Sequence, residues 1–169
     1  MNPTPTVFLT DDDPAIRDSV GLLLRANGLA VETFASAVDF LESNAVQRPG
    51  CLLLDVRMPG MSGLDLQKRL QEMSCRTPII FMTGHGDVPM AIRAMKAGAF
   101  DFVEKPFQAQ ALLDRLQEAL ALDAQERRRQ ARRNEVAARM ALLSPREREV
   151  MERVVAGQYN KVIAAALGI

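Results

Sequence analysis

A short apolar run that ends in a carboxylate constrains the fold of this chain more than any other stretch. Residues Cys51 to Leu54 suit a buried strand, Asp55 follows directly, and residues 56–63 are rich in turn formers. A continuous apolar run without alternation is typical of a parallel strand that is covered on both faces. Asp55 is then expected at the carboxyl edge of a sheet, where open α/β folds bind ligands. Taken alone, an Asp in this position is more often a cap of the following turn, and the rest of the chain reverses that interpretation.

Strand and helix patterns alternate five times from the N-terminus onward. This spacing predicts βαβ units, and therefore a parallel sheet with helices on both faces. For five strands we expect a flavodoxin-like (βα)5 fold with the strand order 2-1-3-4-5. Asp13 and Ser36 are expected to cap the first two helices. The predicted strands comprise residues 7–10, 29–34, 51–55, 78–83 and 100–104.

This strand order brings polar side chains to one edge of the sheet. Asp11 and Asp12 follow strand 1, and Asp55 ends the neighbouring strand 3. Two carboxylates about 4 Å apart repel each other by about 4 kcal/mol at an effective dielectric near 20, so the cluster requires a counterion. Mg²⁺, held by carboxylates, a carbonyl oxygen and waters, meets this requirement. Thr83 and Lys105, at the ends of strands 4 and 5, supply the hydroxyl and ammonium groups that suit a phosphoryl group.

These polar residues, with Pro106 after Lys105, resemble the receiver domain of two-component response regulators. We assign residues 1–122 to such a domain. The resemblance implies a cytoplasmic phosphoacceptor protein that is not an enzyme, apart from slow autodephosphorylation. Three segments are similar to the FixJ branch of the FixJ/NarL-type regulators in particular, namely residues 58–63, 83–88 and 102–107.

The resemblance implies a role for each acidic residue of the site. Asp55 accepts a phosphoryl group from the phosphohistidine of a sensor histidine kinase, and it also contributes to the Mg²⁺ site. Asp12 binds Mg²⁺ directly, whereas Asp11 binds it mainly through water. The backbone carbonyl of Arg57 is a further metal ligand.

The resemblance also implies residues that respond to phosphorylation. Lys105 pairs with a phosphoryl oxygen, and its peptide bond to Pro106 is expected to be cis. Thr83 hydrogen-bonds the phosphoryl group and moves toward it, while Phe102 turns inward at the aromatic switch position of the family. Because Phe102 lacks a hydroxyl, the switch works here by packing alone. We therefore expect a homodimer on phosphorylation through helix 4, strand 5 and helix 5, and we interpret His85 as a loop residue near the mouth of the site.

The chain continues into a long helical segment. No Gly or Pro occurs between Gln108 and Ser144, and residues 125–133 combine strong helix formers with no apolar stripe. We predict that helix 5 extends into a helical linker over residues 123–142. Its run of basic residues is either a solvated face or a contact to DNA phosphate.

A second motif follows this linker. Ser144, Pro145 and Glu147 have the spacing of a helix capping box, and Asn160 is expected to cap another helix. Residues 143–169 resemble the N-terminal part of the LuxR-type helix-turn-helix domain. In that family the recognition helix follows, and it is the element that enters the major groove. We therefore expect the output domain to be incomplete in this chain, and promoter DNA binding to require the full-length protein.

Charge and hydropathy are consistent with two functions on one soluble chain. Residues 1–108 hold 13 acidic and 10 basic groups, whereas residues 109–169 hold 8 acidic and 11 basic groups. This asymmetry favours an acidic domain joined to a basic one. No apolar run of about 18 residues occurs, so we expect no membrane partner.

Three other functions are weighed against a transcriptional regulator. An aspartyl-phosphate phosphatase of the haloacid-dehalogenase type also uses Asp, Mg²⁺, Thr and Lys, but it needs a second Asp where Arg57 stands. A nucleotide-binding module needs a Gly-rich loop after strand 1, and residues 11–13 are aspartates instead. A stand-alone receiver that acts through protein–protein contacts is the third alternative.

Overall fold

The computed structural model describes residues 3–84 and 87–169. Among these residues the strands are β1 (Thr6–Thr10), β2 (Ala30–Phe34), β3 (Gly50–Asp55), β4 (Ile79–Thr83) and β5 (Asp101–Glu104). The helices are α1 (Pro14–Ala26), α2 (Ala37–Glu42), α3 (Gly63–Glu72), α4 (Val88–Lys96), α5 (Ala109–Ala141), α6 (Pro145–Val155) and α7 (Asn160–Leu167), with a 3₁₀ turn at Asn44–Gln47. The chain divides into two compact units, residues 1–127 and 128–169.

The five strands form a parallel sheet in the order β2-β1-β3-β4-β5, which confirms the predicted flavodoxin-like arrangement. Thr10 lies opposite Leu54 in the β1–β3 pairing, and Asp55 lies opposite Met82 in the β3–β4 pairing. The carboxyl ends of β1 and β3 are therefore level. As a result, the residues that follow β1 lie beside Asp55.

Helices cover both faces of this sheet, as the unbroken apolar run in β3 predicts. Leu52 and Leu54 belong to one buried cluster, whereas Cys51 and Leu53 belong to another. Successive side chains of a strand point to opposite faces. All four residues are fully buried because each face of β3 has its own core.

The predicted caps of α1, α2 and α6 are present. The Asp13 carboxylate accepts a hydrogen bond from the amide of Ala15 at 2.9 Å, and Ser36 caps α2 in the same manner. In α6 the Ser144 hydroxyl accepts a hydrogen bond from the Glu147 amide at 3.2 Å, while the Glu147 carboxylate accepts one from the Ser144 amide at 2.7 Å. This reciprocal pair is the capping box that the sequence predicts.

The prediction that Asn160 caps α7 is wrong by one residue. Asn160 is the first residue of the helix, and Tyr159 holds the capping position without a side-chain cap. The Tyr159 carbonyl oxygen accepts hydrogen bonds from the amides of Val162 at 2.9 Å and Ile163 at 3.0 Å. Backbone bonds alone therefore start this helix, one residue before the amide side chain that suits a cap.

A buried carboxylate ties the middle of α5 to the start of β3. Asp123 is 5% exposed, and it accepts hydrogen bonds from the Gly50 amide at 2.9 Å and from Arg127 Nε at 2.8 Å. Arg127 Nη2 also donates to the Arg48 carbonyl oxygen at 2.8 Å. Buried charges require such partners. We call Asp123 and Arg127 the α5 anchor.

The second unit contains the end of α5 together with α6 and α7. Ile163 and Leu167 of α7 are buried, and Arg146 of α6 donates a hydrogen bond to the Leu167 carbonyl oxygen. These contacts hold α6 and α7 together. None of the described helices combines the length and the hydrophobicity needed to span a bilayer.

Two glycines with positive φ allow a matched test of how closely β1 packs against the start of β3. Gly50 has φ +152°, and a Cβ there would overlap the Thr6 carbonyl oxygen, whereas Gly28 has φ +79° with nothing within 4 Å. We expect Gly28→Ala to cost about 1 kcal/mol through backbone conformation alone. Gly50→Ala should cost about 3 kcal/mol or more, because β1 must also move. Urea unfolding followed by circular dichroism checks this, and equal losses for both variants would contradict it.

Candidate functional site

The three predicted carboxylates meet at the carboxyl edge of the sheet. Oxygens of Asp11, Asp12 and Asp55 all lie within 4.8 Å of one another. Asp11 is 1% exposed and Asp55 is 9% exposed, whereas Asp12 is open to solvent. The amide of Asp13 donates to Asp11 Oδ1 at 2.9 Å, and this bond fixes the buried carboxylate as the chain turns into α1.

Lys105 brings positive charge to this cluster from the end of β5. Its Nζ atom lies 3.0 Å from Asp11 Oδ2 and 3.3 Å from Asp55 Oδ1. The Lys105 amide donates to the Thr83 carbonyl oxygen at 2.7 Å, and the peptide bond from Lys105 to Pro106 is cis. One ammonium therefore contacts carboxylates from two strands.

The electrostatics of the site are those of an incompletely neutralised acidic cluster. Burial, followed by the negative charge of Asp11, raises the pKa of Asp55 to about 6, although Lys105 opposes the shift. Burial lowers the pKa of Lys105, but its contacts with Asp11 and Asp55 outweigh burial and the pKa is raised overall. Three carboxylates and one ammonium leave an excess of negative charge. Such a site favours a bound cation.

The donor set fits a hard divalent cation. Asp11, Asp12 and Asp55 offer carboxylate oxygens, and Asp12 is exposed to solvent, from which waters would complete the coordination shell of a cation. Mg²⁺ is characteristically bound by one or two carboxylates while it keeps several waters. The backbone carbonyl of Arg57, the fourth expected ligand, stays a prediction.

The two residues predicted to switch lie on the neighbouring strands β4 and β5. The Thr83 hydroxyl is buried and donates to the Val103 carbonyl oxygen at 3.3 Å, so it is bound to β5. Phe102 is 38% exposed at the surface of the same strand. The roles of both side chains toward a phosphoryl group stay predictions.

An ion pair beside the site was not predicted from the sequence. Arg57 donates to Asp87 Oδ1 through Nε at 2.9 Å and through Nη2 at 2.5 Å. The bond from Arg57 holds the pKa of the Asp87 carboxyl below its usual range. The pair joins the loop after β3 to the start of α4, 30 residues apart in sequence, and no local pattern indicates it. His85, expected at the mouth of the site, lies outside the described residues.

Two families of known proteins match this chain. Residues 7–117 match the family described as "Response regulator receiver domain". Residues 141–169 match "Bacterial regulatory proteins, luxR family". The first match contains the whole carboxylate cluster and Lys105, and the second begins at the end of α5.

Similar proteins align with nearly the whole chain, including both matched segments. The chain is 47% identical over 163 residues to the transcriptional regulatory protein FixJ of Azorhizobium caulinodans, covering 96% of this chain and 77% of that protein. It is 45% identical to the response regulator protein TodT of Pseudomonas putida, covering 96% and 72%. The solved structure of the response regulator StyR is 46% identical with a TM-score of 0.89, covering 99% of this chain and 84% of that one. The chain belongs to the two-component response regulators, and among them to the signalling proteins that control transcription through a receiver domain joined to a LuxR-type helix-turn-helix.

Proposed function

We propose that Asp55 is the residue through which this regulator receives its signal, as the acceptor of a phosphoryl group from a sensor histidine kinase. The position of Asp55 carries the proposal. Its carboxylate lies 3.3 Å from the Lys105 ammonium and beside Asp11 and Asp12, at the end of a strand buried on both faces.

The proposed reaction is a phosphoryl transfer between two side chains. A carboxylate oxygen of Asp55 forms a bond to phosphorus, the bond from phosphorus to the kinase imidazole breaks, and the imidazole takes up a proton. Lys105 stabilises the negative charge on the phosphoryl oxygens. Asp11, Asp12 and Asp55, with the Arg57 carbonyl, would hold Mg²⁺, which when bound supplies further positive charge to those oxygens.

Phosphorylation is proposed to change the surface formed by α4, β5 and α5. Thr83 exchanges its bond to Val103 for one to the phosphoryl group, and Phe102 fills the space that it leaves. Apolar side chains already occupy this surface, since Val88 is 55% exposed and Ile92 is 49% exposed on α4. A second receiver with the same surface would bury them as a homodimer. Dimerisation then places two output domains on promoter DNA, for which the complete LuxR-type domain is proposed to be necessary.

The alternative functions have less support. Arg57 stands where a haloacid-dehalogenase-type phosphatase needs a second Asp, and its guanidinium is paired with Asp87. A stand-alone receiver is disfavoured by the match of residues 141–169 to the luxR family. Slow attack of water on the phosphorylated Asp55 is proposed as the route of autodephosphorylation.

We expect Asp55→Asn to abolish phosphorylation of the chain, because a neutral amide is a far weaker nucleophile than a carboxylate. Labelling by acetyl phosphate or phosphoramidate with Mg²⁺ at neutral pH, followed by intact-mass measurement, tests this. Asp65→Asn, at an exposed capping residue of α3, is the control and should be labelled as the parent chain is. Undiminished labelling of the Asp55→Asn variant would overturn the assignment.

Adjacent aspartates allow a matched test of the metal site. Asp12→Ala should weaken Mg²⁺ binding by about tenfold or more, because a direct carboxylate ligand is lost. Asp13→Ala removes only the cap of α1 and should leave the affinity nearly unchanged. Isothermal titration with Mg²⁺ measures both variants, and equal affinities would contradict the assignment of Asp12.

We expect beryllofluoride, a phosphoryl mimic, to convert a monomer or weak dimer into a tighter dimer. A bound group shifts such an equilibrium only through its differential affinity for the two states, and a few charge-assisted bonds can supply this difference. Sedimentation velocity at about 100 µM chain, with and without the mimic, measures the change.

Two substitutions locate the dimer surface. Ile92→Lys on α4 should prevent the mimic from driving dimerisation, whereas Leu22→Lys at a more exposed site on α1 should not. An unchanged monomer with the mimic bound would refute the dimerisation mechanism and leave the phosphoacceptor assignment intact.

A further inference from the structure

The α5 anchor determines which side of α5 faces the sheet near Arg127. Asp123 and Arg127 both bond toward the start of β3, so one side of α5 faces the sheet at this height. An α-helix turns by about 100° per residue. The positions of later residues around the helix axis are therefore expressed as angles from Arg127.

Four arginines that follow Arg127 share one side of the helix. Relative to Arg127, helical geometry places them at about 100°, 140°, 200° and 240°, whereas Asp123 lies about 40° from Arg127 on the other side. All four are exposed. We call them the basic face: Arg128, Arg132, Arg129 and Arg133.

Acidic residues border the basic face without interrupting it. Glu126 and Glu135 lie at about 260° and 80°, at its two margins. Arg139 continues the face about two turns after Arg132, at about 120°. It is paired with Glu135 at 2.7 Å. The resulting surface carries concentrated positive charge along one side of the helix.

We propose that the basic face of α5 binds the phosphate backbone of duplex DNA, as a contact additional to the helix-turn-helix. This proposal rests on the transcriptional role of the chain. Residues 128–133 rise by about 7.5 Å along the helix axis. The same length of B-DNA carries about four negative charges, at one per 1.7 Å or so. Such contacts add affinity and fix orientation without reading sequence.

The composition of the segment favours DNA over an anionic membrane. A helix that binds in the plane of a membrane needs a broad apolar face opposite its charged one. Residues 125–135 contain one apolar side chain, the methyl group of Ala131. The positive charge of this segment can therefore pair with phosphates, whereas the segment has almost no apolar surface that would insert among lipids.

The salt dependence of binding to random-sequence duplex DNA tests the proposal. The full 169-residue chain is compared by fluorescence anisotropy with a variant in which Arg128, Arg129, Arg132 and Arg133 are all changed to Gln. Glutamine keeps high helix propensity, which circular dichroism verifies. Each phosphate contact contributes about 0.9 to the slope of log affinity against log salt, so the variant should lose about 3 to 4 from that slope.

A charge-matched control distinguishes the effect of this contact on the slope from the effect of net charge. This control removes four positive charges from the receiver by changing four residues to Gln, namely Arg25, Lys68, Arg69 and Arg76. It should leave the slope unchanged. A variant with Lys at all four positions of the basic face should keep most of the slope, because lysine also neutralises phosphate.

Three outcomes would overturn the proposal. One is no binding to DNA by the parent chain at about 50 mM salt, where electrostatic contacts are strong. Another is an equal slope for the basic-face variant and the parent. The third is binding of the parent to vesicles of phosphatidylserine and phosphatidylcholine but not to DNA. Phosphorylation of Asp55 is measured on the same variants, so failure of the proposed phosphoacceptor function is seen separately.

Discussion

Repulsion among three carboxylates is the constraint on which the site and much of its surroundings depend. Oxygens of Asp11, Asp12 and Asp55 lie within 4.8 Å of one another. At that separation each pair repels by about 3 kcal/mol at an effective dielectric near 20. Lys105 offsets part of this charge from a third strand. The arrangement persists because β1, β3 and β5 are fixed by ladders and by a core on each face, so the folding energy of the sheet holds the charges together. The excess negative charge is then available to bind a cation.

The sequence predicts the parts of this site that depend on strand ends. Alternation of strands and helices gives the sheet order, and the sheet order determines which strand ends are neighbours. Asp11 and Asp55 are brought together in this way although 44 positions separate them in the sequence. Lys105 follows from the same reasoning, since it directly follows β5. Periodicity and the position of a polar residue at the end of a strand were sufficient, because backbone geometry alone decides where those residues lie.

Other contacts depend on how far a side chain extends from its backbone, and no local sequence pattern predicts them. Arg57 and Asp87 lie on separate loops, and Asp123 bonds to Gly50 across 73 residues of sequence. Each pairing requires the distance between two elements to be known to within about 1 Å, since hydrogen bonds weaken steeply outside their range. The misplaced cap at Asn160 has a related cause. Residue preference identifies a suitable cap, but the backbone of Tyr159 decides where the helix begins.

The composition of α5 changes from apolar to charged along its length. Its first half buries Leu112, Leu113, Leu116 and Ala119 against the sheet, and the last buried residue is Asp123. Beyond the α5 anchor, side-chain pairs four residues apart bridge successive turns, such as Gln130 with Asn134 at 2.9 Å. Such pairs contribute about 0.2–0.5 kcal/mol each, and high helix propensity adds to them. Since no core selects the residues of this segment, its concentration of arginines on one side is not required by the fold. Arginines four residues apart, such as Arg128 and Arg132, repel each other and weaken the helix slightly. A charged surface that neither stabilises the helix nor packs against a core is suited to recognition of a polyanion.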